Sequence, residues 1–218
     1  RKAPYSNYHF FLYPSARSDF HPSGRQRSTN ILMTGNIFGV FIFTILTVLR
    51  IQQLLNGSWI AVFLFLQSAI AVVLYFRRAN SAKNTAQKKQ VLAWLSALFP
   101  LAFSPRASAE MWHAFLLVPG LILTLWAMLS LNRSFSVAPA DRGLVWTGAY
   151  RFIRHPMYAG EILSFIGILI GSFSAWNTGV FILFVISVIW RIYTEEALIE
   201  NYKTYKEEVR WRVLWKVF

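Results

Sequence analysis

A series of apolar runs, each close to the length needed to cross a bilayer, limits this chain more than any other feature. They lie at about 31–50, 57–76, 91–104, 112–131, 157–175 and 178–193. A full span needs about 20 predominantly apolar residues. The expected fold is therefore an all-α integral membrane protein with about six transmembrane helices. The third and fifth runs are short or polar-ended, so they are expected to tilt or to pack against neighbouring helices. Pro119-Gly120 inside the fourth run predicts a kink. The composition agrees: 56% of 218 residues are hydrophobic and only 14% are charged, too apolar for a soluble domain of this size.

The net charge of +13 would point to nucleic acid in a soluble protein. Here the basic residues flank the apolar runs, as the positive-inside rule expects, and no nucleic-acid partner is implied. Of the 22 Lys and Arg residues, all but Arg50 and Arg106 fall in four places. These are the N-terminal arm, the 77–90 loop, the 132–156 loop and the stretch from Arg191 onward. With six spans, both termini and the long 132–156 loop are expected on the cytoplasmic side, and a bacterial inner membrane is the expected location. Trp59, Trp112, Trp146, Trp176 and Trp190 fall near span ends, where interfacial anchors sit. Cysteine is absent, which excludes disulfides and thiol nucleophiles. His9, His21, His113 and His155 are scattered, so no metal site is expected. Residues 1–30 carry Pro4, Pro14 and Pro22 and cannot form one long helix; they read as an arm on the headgroups, without a cleavable signal pattern. The division expected is an arm (1–30), N-terminal transmembrane helices (31–104) and a core bearing a cytoplasmic pocket (105–218).

Two clusters carry the polar chemistry. The first is Tyr150 to Glu161, YRFIRHPMYAGE, which opens the fifth span. Ionisable groups at the edge of hydrocarbon are costly to place and therefore mark a site by default. Proline suits the first turn of a helix, so His155-Pro156 would turn Arg154 and His155 toward the cytoplasmic surface. Gly160 would let a ligand or another helix approach the backbone. The blander alternative is a helix cap with snorkelling arginines. The second cluster, Arg191, Thr194, Glu195, Glu196, Tyr202 and Tyr205, follows the sixth span. Arg191 and Glu195 are spaced for an i, i+4 pair. Adjacent carboxylates point about 100° apart on a helix, so at least one of Glu195 and Glu196 faces elsewhere. Together the clusters offer a cationic wall (Arg154, His155, Tyr158) and an anionic wall (Glu195, Glu196). S-adenosylmethionine, with a carboxylate, an ammonium and a sulfonium, matches such walls, although charge alone does not identify it.

The order LVWTGAYRFIRHPMYAGEIL, a last span, an acidic pair, Y-x-x-Y and VRWR resembles the isoprenylcysteine carboxyl methyltransferase family over about residues 128–213. It resembles the related membrane phospholipid methyltransferases more loosely. The resemblance implies S-adenosylmethionine as cofactor, with S-adenosylhomocysteine as product, held by the C-terminal half without a Rossmann fold. His155, Tyr158, Gly160, Glu195 and Glu196 would contact it, with Tyr150 and Tyr202 completing the cofactor-binding set. The acceptor would be a lipophilic molecule reaching the site from the bilayer. The family's phenylalanine-glycine step after the acidic pair is missing here, where AlaLeuIleGluAsn joins Glu196 to Tyr202. That departure resembles a bacterial-type branch.

Methyl transfer from a sulfonium is an in-line displacement, so the protein's task is mainly positioning and desolvation. A carboxylate acceptor needs a cation to place it: Arg191 first, Arg154 second. An amine, phenol or thiol acceptor would need a base, Glu196 or His155. Two rival functions share some features: a sterol-reductase-like NADPH enzyme, since such enzymes carry a similar RHP-x-Y-x-G segment, and a non-enzymatic membrane protein. A phospholipid N-methyltransferase is the nearest variant of the main reading.

Overall fold

The computed structural model describes residues 28–58, 60–104, 114–200 and 202–213, with side chains from residue 37 onward. The expectations placed on residues 1–27, Trp59, Arg106, Trp112, His113 and the final five residues lie outside them. The chain order is α1 (Ser28–Leu55), α2 (Ile60–Arg77), β1 (Lys83–Asn84), α3 (Gln87–Ala97), a 3-10 turn (Phe99–Ala102), α4 (Ala114–Leu131), β2 (Ala140–Asp141), α5 (Pro156–Gly171), α6 (Ala175–Leu198) and α7 (Tyr202–Glu208). The architecture is all-helical. The only sheet among the described residues is the two-residue antiparallel pairing of β1 with β2, so the Rossmann fold is absent there.

Four helices are long and apolar enough to cross a membrane: Ile37–Leu55 within α1, α2, the α4 segment Ala114–Ser134, and α6. Their outward faces carry large apolar side chains, among them Phe41, Val48, Val73, Phe115, Leu129, Leu183 and Ile186. Such a belt is the reverse of a soluble surface and is what a lipid-facing protein presents. The chain is an integral membrane protein.

The 24-residue α6 defines the two ends of the molecule. At its first turn the Ser104 N–H donates to Asn177 Oδ1 at 3.0 Å, while Asn177 Nδ2 donates to Ser104 O at 3.0 Å and Ser172 O at 2.6 Å. Trp176 Nε1 donates to Ala102 O nearby. At its last turns it meets the 132–156 loop. That loop is tied to the 77–90 loop by the β1–β2 pairing, by Ala79 N donating to Arg133 O and by Thr85 Oγ1 donating to Pro139 O. Both basic loops therefore lie at one end, the end of the site described below.

The third apolar segment runs from that end to the Asn177 end with only 11 residues in α3. The 3-10 turn that follows rises more per residue than an α-helix and helps to cover the distance. α5 is short too, at 16 residues. Both are short, as expected of the third and fifth apolar runs, whose polar starts (Gln87-Lys88-Lys89-Gln90; His155) leave less apolar chain for the helix; neither is among the four helices long enough to span.

α4 continues through Pro119 rather than ending there. What Gly120 supplies is close approach. A Cβ on it would sit 2.6 Å from Gly160 O, and one on Gly160 would sit 2.6 Å from Gly120 O and 2.7 Å from Thr124 N. The two glycines face each other, and α4 and α5 pack backbone to backbone there, as small residues permit within membranes. A ring cluster of Phe43, Tyr75, Trp94 and Phe135 fills the core beneath the 132–156 loop.

Candidate active site

Pro156 stands at the first position of α5, with His155 as N-cap at φ −129° and ψ 60°. That turn leaves His155 and Arg154 at the head of the helix, both about 5% exposed. One turn on, Tyr158 is fully buried and stacks on His155 with ring centroids 5.7 Å apart. α6 delivers the acidic pair from the other side. Tyr158 OH donates to Glu195 Oε1 at 2.5 Å, and His155 Nε2 lies 3.2 Å from Glu196 Oε1. The two clusters separated in sequence thus meet.

They meet more closely than two opposed walls. Glu196 Oε1 accepts from Arg154 Nη1 at 3.0 Å, from Tyr202 OH at 3.0 Å and from Arg212 Nε at 3.1 Å. Its Oε2 accepts from Arg212 Nη2 at 3.1 Å. The expected cationic and anionic walls are paired with each other, and the positive charge of Arg154 is largely met by Glu196. A carboxylate held by this many donors is a poor base and a strong fastener. Glu195 is different: one oxygen holds Tyr158, and the other is 3.8 Å from His155 Nδ1.

Beside the pairing lies an open cavity of about 700 Å³, mouth included, whose polar lining comes from Ser134, Ser136, Arg142, Tyr150, Arg154, His155, Tyr158, Glu195, Tyr202 and Tyr205. Leu144, Val145, Met157 and Ile199 supply apolar wall. That mixture of polar groups and apolar wall fits a small organic ligand. The segment after α7 forms a roof over the head of α5, behind the residues that line the cavity. Its Trp211 and Arg212 carbonyls accept from the Arg154 and His155 backbone N–H groups at 2.8 and 2.7 Å, and Arg210 O accepts from Arg154 Nη2. Tyr205 OH donates to Tyr150 O at 2.6 Å. Burial raises the pKa values of Tyr150, Tyr202 and Tyr205, with the Glu196 charge adding to the effect at Tyr202. These phenols stay protonated at neutral pH and act as hydrogen-bond donors. The hydrogen bonds that Arg212 donates to Glu196 hold its guanidinium above its usual pKa range, outweighing desolvation.

Of the residues expected in the site, Tyr150, Arg154, His155, Tyr158, Glu195 and Tyr202 line the cavity. Three do not. Glu196 stands behind them as the fastener. Gly160 faces α4, so of the two partners its missing side chain could admit, the helix is the one it meets. Arg191 is 4% exposed, with Nη2 donating to Val137 O at 2.7 Å and its guanidinium 5.0 Å from the Tyr158 ring centre. It forms no i, i+4 ion pair with Glu195. The Val137 carbonyl on the loop captures it, and Tyr75 OH accepts the Val137 N–H at 3.2 Å. Arg191, expected to place the acceptor, thus stands outside the cavity lining, where it anchors the loop that walls the cavity. Two contributors went unranked in the sequence. Arg212 follows the last helix and had no spacing to mark it. Arg142 had served only as a topological charge.

Residues 110–207 match the family model described as phospholipid methyltransferase. That family takes in the integral membrane methyltransferases of the isoprenylcysteine carboxyl methyltransferase type. The matched stretch covers α4, the cavity loop, α5, α6 and most of α7. No curated protein matches the chain.

Proposed function

We propose, for a chain whose residues 110–207 match a family of membrane methyltransferases, that it moves a methyl group from S-adenosylmethionine to a lipophilic acceptor at the cytoplasmic membrane face. The observation that carries this reading is the coincidence of the family match with one cavity. The elements it covers converge there, with Glu195 presented beside Tyr158 and His155. A cavity that mixes a carboxylate, phenols and apolar wall suits a nucleoside carrying a positive sulfonium.

The bound cofactor would supply an activated methyl group whose C–S bond breaks as the acceptor nucleophile attacks in line. The chain's own work is to place and to exclude water. Glu195 offers negative charge to the sulfonium side. Tyr150, Tyr202 and Tyr205, protonated throughout, shape the walls and donate. Glu196, tied to Arg154, Tyr202 and Arg212, keeps the head of α5 and the roof together. It is not the proton acceptor. An acceptor whose nucleophile carries a proton would lose it to His155 or to solvent; a carboxylate acceptor needs no base. The acceptor's apolar body lies among the helices.

The test is calorimetric titration of the purified protein with S-adenosylhomocysteine and, separately, with NADPH. Binding of the first alone, with transfer of labelled methyl from S-adenosylmethionine into a lipid extract, is the expected result. Binding of NADPH alone would replace this reading with the reductase.

A further inference from the structure

We propose that Arg142, on the loop wall of the cavity, holds the carboxylate of the cofactor's amino-acid moiety, while Glu195 on α6 supplies the negative charge. The proposal rests on the methyltransferase reading and adds to it the orientation of the cofactor.

Charge accounting within the cavity leads to Arg142. Two arginines line it, Arg142 and Arg154. Arg154 is ion-paired to Glu196 at 3.0 Å, so its guanidinium is already engaged before an anion arrives. No carboxylate among the described residues lies within ion-pair distance of Arg142. Its Nη1 donates to the Ala79 carbonyl, while its Nε, like that of Arg154, is buried without a hydrogen-bond partner. A buried donor left unsatisfied is costly and is rare unless a ligand or solvent completes it. The neighbouring cation is Arg78, which lies over the Tyr75 ring at 4.6 Å. Burial, and then Arg78, bring the Arg142 pKa down to about 10. It is still protonated at neutral pH, and an anion beside it would relieve the repulsion. Asp141, the adjacent acid, is turned away: its two oxygens accept from the Gly143 and Glu200 backbone N–H groups at 3.1 and 3.2 Å.

The cavity is thus dipolar. Positive charge without a counter-charge stands on the loop side, and Glu195 stands on the α6 side. A zwitterionic amino-acid tail running from carboxylate to sulfonium matches that order. A carboxylate set against Arg154 and His155 would lie beside Glu196 instead. An anionic group on the acceptor would suit Arg142 equally well in chemistry, and titration without acceptor separates the two sources.

The experiment compares S-adenosylhomocysteine with its decarboxylated analogue, which keeps the ammonium and loses the carboxylate. The wild-type protein should prefer the former by roughly tenfold to a hundredfold, the range of a charge-assisted hydrogen bond. Arg142→Gln should erase that preference by weakening S-adenosylhomocysteine alone. Arg142→Lys should keep part of it and guards against a folding defect in the first variant. Equal wild-type binding of the two nucleosides overturns the proposal. So does an Arg142→Gln protein that weakens both alike, which would mean a structural role. An unchanged nucleoside affinity with a raised acceptor KM would assign the anion to the acceptor and also overturn it. If wild type binds neither nucleoside, the methyltransferase reading itself falls.

Discussion

His155 Nε2 and Glu196 Oε1 lie 3.2 Å apart although 41 residues separate them in the chain. One heads α5 and the other ends α6, so this contact fixes the crossing of two helices at the membrane surface. The same Glu196 oxygen also accepts from Arg154, Tyr202 and Arg212. The acidic pair is therefore split by function. Glu196 faces inward to the fastening, and Glu195, about 100° around the helix, faces the cavity.

Replacing each carboxylate separately should expose that split. Glu196→Gln leaves the buried Arg154 without its counter-charge, which costs about 3–5 kcal/mol. Its melting temperature in detergent should fall sharply. Glu195→Gln keeps the Tyr158 hydrogen bond through the amide oxygen and should leave melting nearly unchanged while weakening S-adenosylmethionine by tenfold or more, on the scale of one charge-assisted contact, and S-adenosylhomocysteine, which lacks the sulfonium, much less. Equal melting loss in the two variants would refute the division.

Arg212→Ala should loosen the roof without unfolding the helices. It removes hydrogen bonds to a carboxylate, worth about 1.5–3 kcal/mol. The Arg154 and His155 amides are sealed by the Trp211 and Arg212 carbonyls, so they report the opening directly. Hydrogen exchange at those two amides should quicken by roughly tenfold to a hundredfold, with α4 amides unaffected. If the two sites keep wild-type protection, the roof is held by something other than Arg212.

Gly160→Val tests the close contact of α4 and α5. A side chain there would press on Gly120 O and on Thr124, and overpacking of this kind costs about 1–3 kcal/mol. Stability should drop, while the folded fraction should bind S-adenosylhomocysteine with wild-type affinity, because Gly160 does not line the cavity. A selective loss of nucleoside binding at unchanged stability would restore Gly160 to the ligand side.

Much of this was legible in the sequence for identifiable reasons. Long apolar runs fix the helices through the bilayer's demand on the backbone, and a proline after His155 marks the head of α5. The acidic pair stood out as an exception on a basic face. The partners of those charges were not legible. The Arg191–Glu195 spacing suggested a helical pair, yet the Val137 carbonyl, 54 residues away, takes the guanidinium. A backbone acceptor on a distant loop leaves no mark in side-chain spacing. Gly160 was ambiguous for a related reason: a missing side chain shows that something comes close without showing what. Arg142 and Arg212 were invisible because their roles arise only when loop, roof and helix ends meet.

Orientation can be tested directly because the protein has no native cysteine. Single cysteines placed at exposed positions on the two ends of the molecule give an unambiguous reading. Asn56 and Ala175 lie at one end, and Lys88, Arg151 and Lys203 lie at the other, with the cavity. The basic loops gather at the cavity end, so the positive-inside rule predicts that this end faces the cytoplasm. In intact cells or spheroplasts, a membrane-impermeant maleimide should label Asn56→Cys and Ala175→Cys, and should reach the other three only after the membrane is opened. The full reverse pattern would put the cavity outside, away from a cytosolic supply of S-adenosylmethionine, and would remove the proposed cofactor. A mixed pattern within either group would contradict the shared end of the 77–90 and 132–156 loops, which the β1–β2 pairing and the Arg142 contact with Ala79 require.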